Sequence, residues 1–348
     1  MLAGIPSDYR GVICVTLHTS PQSQMLAANL ARSATLPVQF AFNGVQLKPG
    51  RIYVAPPDYH TLVKRDHLVV VRGPRENHCR PAIDPMFRSA AVAHGRNVRA
   101  IILSGYLDDG ASGSIAVARC GGRVAVQAPS STSAPDMPTN TLAVVDVDFV
   151  GNPLQLTRWL VGTFEEDSVA GHSVAQMAGD ELSGNGLTTI DRQAPSAASV
   201  STKLSNRQIE REVHISESIE SNISLEENLG ELVPMTCPEC SGPLWEMRVD
   251  KVRRYRCHTG HAYTAKALIA HQDETIEKAL WAAMRLMQER ANSLEQLSKD
   301  NLVGGEVFAE RADESRANAD VLRGLLVGSC KPDNAGQAQL AQTEQKHV

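Results

Sequence analysis

Two groups of residues in this sequence have the types and spacing to do chemistry. The first is a histidine and an aspartate. His18 follows the apolar run Val12–Leu17, and Asp109 sits in the Gly- and Asp-rich loop after Ala100–Leu103. Short apolar runs of this kind read as strands buried on both faces. Both side chains then stand at carboxyl ends of strands, where open α/β sheets place their sites. An aspartate there can orient an imidazole for acid–base work, or it can simply cap a helix. The second group is Cys237-x2-Cys240 followed by Cys257-x3-His261. Two such knuckles deliver two ligands each to a tetrahedral zinc ion, and four protein ligands make the site structural. His258 competes with His261 for the fourth position. The alternative is a small reduced hairpin with incidental cysteines. A c-type haem site is excluded because no Cys-x-x-Cys-His occurs.

The elements that must position these groups follow from periodicity and turn signals. Val12–Leu17 is a strand, Ser23–Ser33 a helix, and Val38–Ala41, Arg51–Ala55 and Leu68–Arg72 are short strands. Pro81–Gly95 reads as a helix with Ile83, Phe87 and Ala90 on one face. Strand 100–103, helix 111–120 and strands at Val124–Gln127 and Leu142–Val147 complete the pattern. Strands alternating with helices predict a mainly parallel sheet covered on both faces. From Glu165 to Leu244 there is no aromatic residue, and Ser, Asn, Gly and acids dominate. Such a segment buries too little apolar surface to fold, so most of it is expected to be a disordered linker, with helical turns near Asn206–Glu220. The second chemical group follows it. Beyond lies an amphipathic helix with Ile276, Leu280, Met284, Met287, Ala291, Leu294 and Leu297 in register, a Gly304-Gly305 break, and a second helix over Glu306–Leu326.

Composition sets limits on function. The 348 residues are 42% hydrophobic and 21% charged, with a net charge of −5. The whole chain offers no basic surface for nucleic acid, and no apolar run reaches membrane-spanning length, so no membrane insertion is expected. No signal peptide is evident, and the scattered cysteines point to a reducing cytoplasm.

The order of several motifs resembles a known family. Leu17-His18-Thr19-Ser20-Pro21 is followed by Asn43-Gly44 and Leu47-Lys48-Pro49-Gly50-Arg51-Ile52-Tyr53-Val54-Ala55-Pro56-Pro57-Asp58-Tyr59-His60. Next come Gly73-Pro74-Arg75-Glu76-Asn77-His78-Cys79-Arg80-Pro81-Ala82-Ile83-Asp84-Pro85-Met86-Phe87, Leu103-Ser104-Gly105-Tyr106-Leu107-Asp108-Asp109-Gly110 and Met137-Pro138. Together they resemble the CheB-type chemotaxis methylesterase domain over about residues 2–163. The resemblance implies a three-layer α/β/α fold and a Ser–His–Asp triad. It implies hydrolysis of glutamyl methyl esters on chemoreceptors, with release of methanol and deamidation of receptor glutamines. It maps the histidine onto His18 and the aspartate onto Asp109, and places part of an oxyanion hole near Gly105-Tyr106. The family serine sits in a Gly-Ala-Ser-x-Gly-Gly turn after the first strand, whereas Met1–Pro6 already matches the helix beyond that turn. The first strand and the nucleophile are therefore expected to be missing from this sequence, and neither Ser20 nor Ser104 occupies the serine's place. A Cys-Pro-x-Cys segment with a Gly-His-Ala-Tyr element and a helical hairpin looks like an appendage of some stand-alone relatives.

The expected organisation is a truncated methylesterase domain at 1–163, a linker at 164–232, a zinc-ribbon-like segment at 233–264, a helical hairpin at 265–328 and a loose tail at 329–348. Two functions are open. One is a protein-glutamate methylesterase acting on a methylated chemoreceptor. The other is a catalytically inactive partner-binding protein with a structural zinc module. Arg80-Pro81 with Asp84 is read as a cap of the following helix, His60 as a structural surface histidine, and Cys14, Cys79 and Cys120 as thiols that behave as small hydrophobes.

Overall fold

The computed structural model describes residues 1–18, 25–164, 197–217, 230–249, 252–300 and 305–329. They fall into two units, Met1–Leu268 and Ile269–Val348.

The first unit is built on two three-stranded parallel sheets. In one, β1 (Val12–Val15) and β2 (Val38–Phe40) flank β3 (Arg51–Val54). In the other, β6 (Arg99–Ile102) and β8 (Phe149–Gly151) flank β7 (Arg123–Gln127). Alternation along the strands shows that both pieces lie in one layer. Tyr53 of β3 and Ala100 and Ile102 of β6 face one core, packed with Met86 and Phe87 of α2 (Ile83–His94) and Ile115 and Val117 of α3 (Ala111–Arg119). Ile52, Val54 and Ile101 face the opposite core, with Ala27 of α1 (Leu26–Ala31) and Leu160 of α5, the helix over 153–164. Strands with helices on both faces are the three-layer α/β/α arrangement that the pattern predicts.

Two local readings change. Leu142, Ala143 and Val144 belong to a helix, α4 (Asp136–Val144), rather than to a strand. Pro135 and Asp136 open it, and the Thr141 hydroxyl donates to Met137 O at 2.9 Å, which lets a β-branched residue sit in a helix. A strand that the sequence reading passed over, β4 (His60–Val63), pairs antiparallel with β5 (Leu68–Val71).

The segment expected to be a disordered linker contains α6 (Ala197–Glu217). Ile209 joins the first core, and Glu212, Val213 and Ser216 of the same helix are buried too. The acids that suggested disorder are what anchor the helix, because their partners lie elsewhere in the chain. Four antiparallel strands follow: β9 (Glu231–Thr236), β10 (Pro243–Val249), β11 (Val252–Cys257) and β12 (Ala262–Thr264), in the order β12-β11-β10-β9. Their small core holds Leu244, Tyr255, Tyr263 and Leu268. This sheet belongs to the same unit as the α/β layers.

In the second unit, the rest of α7 (Ala265–Lys299) packs on α8 (Gly305–Ser329) through Met284, Ala319 and Leu326, with Leu280, Met287 and Leu322 beside them. Gly304, one half of the expected break, lies outside the described residues.

Candidate active site and metal cluster

β1 and β6 are each at one end of their sheet, and the chain leaves their carboxyl ends toward a common point. His18 and Asp109 meet there, with Nε2 donating to Oδ2 at 2.7 Å. The aspartate is 2% exposed and accepts three more bonds. Ile83 N–H donates to Oδ2 at 2.6 Å, and Oδ1 receives Asp84 N–H at 3.2 Å and the Asn77 amide at 3.1 Å. Burial works to raise its pKa, but the hydrogen bond and charge of His18 and the Ile83 and Asn77 donors hold it below the ordinary carboxylate range. Asp109 is thus built to stay ionised.

Asp109 and Asp84 cap each other's helices. Asp109, which precedes α3, receives the first N–H groups of α2. Asp84, in the first turn of α2, receives Gly110 N–H at 3.1 Å and Gly113 N–H at 2.6 Å at the start of α3. This corrects the expectation that Asp84 caps its own helix. Neither helix has a side-chain cap from its own preceding residue, Ala82 or Gly110. A helix N-terminus favours a carboxylate, and here the two termini exchange theirs. Asp84 is raised, by burial first and by the neighbouring Asp109 charge second. A buried pair of carboxylates this close resists double ionisation.

His18 is pushed up to about 11. Burial opposes this shift, and the hydrogen bonds to the Asp109 carboxylate and the Cys79 thiol outweigh it. Cys79, read as an inert hydrophobe, therefore lies against the ring. It closes a tight turn whose middle residues Asn77 and His78 both have positive φ, with Cys79 N–H donating to Glu76 O at 2.9 Å. Paired Asn-His at such a turn was the available signal, since asparagine tolerates that backbone.

Other expected residues sit differently. His60 is 0% exposed rather than on the surface. Its Nε2 bonds Pro74 O at 2.8 Å and its Nδ1 accepts Ala82 N–H at 3.3 Å, so it braces the entry to α2. Arg80 reaches Gly73 O at 2.7 Å and Asp58 at 2.8 Å instead of the helix. Gly105 N–H, expected near an oxyanion hole, is committed to Ala134 O at 3.0 Å. Ser20 lies outside the described residues, and Ser104 is exposed.

The second chemical group is brought together. Ligand atoms of Cys237, Cys240, Cys257 and His261 all lie within 4.8 Å of one another. Cys240 Sγ and Cys257 Sγ are 3.5 Å apart, and His261 Nδ1 is 3.5 Å from Cys257 and 3.7 Å from Cys237. Tetrahedral bonds of about 2.3 Å require ligand separations of roughly 3.7 Å, so the donor set suits a zinc ion. The His258 ring packs on Gly242, away from the cluster. The hydrogen bond from Cys237 lowers the Cys257 pKa, against burial and with help from His261 and Thr259.

Between the two groups lies a buried ionic cluster. Glu76 (1% exposed) accepts from Arg88, from Arg254 at 3.2 Å and from the Ser216 hydroxyl at 2.7 Å. Glu212 of α6 accepts from Arg254 and lies 3.5 Å from Arg256 and 3.6 Å from Arg88. Burial alone would raise Glu76, but the guanidinium groups of Arg88, Arg256 and Arg254 hold it far below its ordinary value.

Residues 1–160 match the family model described as CheB methylesterase. Curated relatives include a protein-glutamate methylesterase/protein-glutamine glutaminase 1 of Rhodospirillum rubrum, 38% identical over 137 residues, which are 38% of this chain and 35% of that one. A second, from Caulobacter vibrioides, is 34% identical over 143 residues, covering 39% of this chain and 41% of its own. The chain thus spans well under half the length of the curated relatives it matches. Among solved structures, the CheB methylesterase catalytic domain of Thermotoga maritima aligns over 47% of this chain and 89% of its own, with 26% identity and a TM-score of 0.46. No helix among the described residues is long and apolar enough to cross a membrane. The first 160 residues of this chain, which carry the His18–Asp109 pair at the sheet edge, are therefore similar to the CheB methylesterase domain.

Proposed function

We propose that this chain belongs to a protein-glutamate methylesterase of chemotaxis-type signalling, acting on methylated chemoreceptors in the cytoplasm. The observation that carries this reading is the buried Asp109 holding His18 at the carboxyl edge of the sheet. In acyl transfer the aspartate fixes the imidazole, and the imidazole in its deprotonated form, which the raised pKa makes scarce near neutral pH, takes the nucleophile's proton and later activates water. The ester carbon passes to the nucleophile as methanol leaves, and water then releases the glutamate. Deamidation of glutamine follows the same course with ammonia as leaving group. The family's serine turn, Gly-Ala-Ser-x-Gly-Gly, does not occur before His18 in residues 1–348.

A methanol-release assay on methylated receptor tests this. The 348-residue chain is expected to turn over on the order of 10⁶-fold more slowly than a form carrying the serine turn ahead of Met1. His18→Ala should abolish the activity of the longer form. If the longer form is inactive, the partner-binding reading replaces the enzyme. Robust turnover by the 348-residue chain, lost in His18→Ala, would mean that another nucleophile serves.

We further propose that Cys237, Cys240, Cys257 and His261 hold one zinc ion in a structural site. The small core of the four-stranded sheet is limited by itself, so the metal would add to the stability of its knuckles, while Arg254 and Arg256 hold β11 to Glu76 and Glu212. The purified chain should carry about one zinc per molecule. Cys237→Ser and His261→Ala should release it, and His258→Ala should not. Retention in His261→Ala with loss in His258→Ala would reassign the fourth ligand.

A further inference from the structure

We propose that the metal-binding segment is a positioning element of the ester site, with β12 carrying the geometry of the metal cluster to Asp109 through Asn77. The proposal rests on the readings of the metal cluster and of the His18–Asp109 pair given above.

The connection is short and covalent at its origin. His261, the last ligand of the cluster, is followed at once by β12. Ala262 N–H donates to Arg75 O at 3.1 Å, and Asn77 N–H donates to Ala262 O at 2.8 Å, so β12 pairs with the loop that precedes α2. Two residues on, Thr264 N–H donates to the Asn77 side-chain oxygen at 3.0 Å. The other end of that amide donates to Asp109 Oδ1 and to Asp84 Oδ2, both at 3.1 Å. The Thr264 hydroxyl donates to Asp108 at 2.7 Å.

Each part of the relay is fixed in orientation. An asparagine amide has one accepting and one donating end. With Thr264 N–H on the oxygen, the NH₂ group must face the two carboxylates. Without it, the amide loses the donor that pins its oxygen, and only the two carboxylates hold the NH₂ group in place. Asn77 and Thr264 are 3% and 1% exposed, so water does not replace the lost bond freely. Asn77 is accordingly a positioning residue: it acts on His18 only through Asp109.

The ionic cluster supplies a second tether. Arg254 and Arg256 of β11 bind Glu76 and Glu212 without involving the metal. This separates two effects. The arginines keep the segment on the α/β layers when the metal leaves, and the metal sets where β12 runs. The experiment therefore works on a chain that stays assembled.

The full chain, labelled at histidine, is titrated by NMR in three states: as purified with zinc, after chelation, and after zinc is restored. The titratable groups facing the His18–Asp109 pair are Asp84 and Cys79, with Asp108 beside them. The expected result is that the His18 pKa falls by about one unit or more on chelation and recovers with zinc. Asn77→Ala should show the lowered value with zinc bound and lose the response to chelation, the mark of residues acting in one chain. Slow amide exchange in β6 and β7 must persist throughout, since it separates loosening of the relay from unfolding. A chain that binds zinc but whose His18 titration ignores it overturns this proposal alone. A chain that binds no zinc overturns the metal reading with it. An Asn77→Ala chain that keeps the zinc response overturns the route through Asn77.

Discussion

Asp109 accepts four hydrogen bonds in a space that excludes water, and that arrangement makes two predictions at the scale of single residues. Since His18 is raised above its ordinary 6.5 to about 11, the folded chain keeps a proton there that the unfolded chain gives up. The stabilisation from the pair is then fully present below about pH 6.5 and declines as pH rises toward 11. Asp109 is lowered, so its own contribution is present above the ordinary carboxylate pKa and is lost as acid protonates it. Asp109→Asn should return His18 toward 6.5, read by NMR titration, and flatten the alkaline decline. An unchanged His18 would mean that the carboxylate is not what raises it. Asp84→Ala should cost about 2–4 kcal/mol in denaturant unfolding, because it strands two buried N–H groups at the start of α3. A loss below 0.5 kcal/mol would show that those groups find other acceptors.

The pairing of His18 with Asp109 was legible in the sequence, because the ends of buried strands share an edge. The exchange of caps was not. Asp84 in a first turn looks like a local cap, and no spacing rule reveals that its carboxylate serves a helix 26 residues away. Cys79 was misplaced for a similar reason: a thiol's neighbour across the fold leaves no mark on the sequence beside it.

At the scale of elements, the alternation of strands and helices read correctly because the central strands β3 and β7 are buried on both faces, which forces continuous apolar runs. α6 was legible only as helical turns near Asn206–Glu220, since its burial depends on charge pairing with residues of β11. Glu212 on the helix and Arg254 on the strand are 42 positions apart, and composition alone registers them as polar. A truncated chain ending at residue 163 keeps Glu76 and Arg88 but loses Glu212, Ser216, Arg254 and Arg256. Breaking a buried ion pair typically costs about 3–5 kcal/mol. Residues 1–163 alone should therefore show no cooperative thermal transition, whereas 1–268 should. A sharp transition in the shorter piece would make the ionic cluster dispensable.

At the scale of the molecule, the expected domain list and the observed units divide the chain differently. The zinc-ribbon-like segment was expected to stand apart after a linker, but it shares a unit with the α/β layers up to Leu268. Sequence distance suggested separation, while the buried contacts of Glu76 and Asn77 set the boundary. That arrangement also orders events in time. Asn77 and the backbone N–H of Thr264 that fixes its amide are 187 residues apart. At roughly 5–20 residues per second, a ribosome takes about 10–40 seconds to travel between them. During that interval the loop before α2 is synthesised but lacks β12 to lie against, and Glu76 and Arg88 lack their partners on α6 and β11. The nascent α/β layers must wait, incomplete, for a segment that does not exist yet. Nascent chains stalled before Thr264 should therefore be cut by protease in the 73–80 loop, and chains stalled well beyond it should resist.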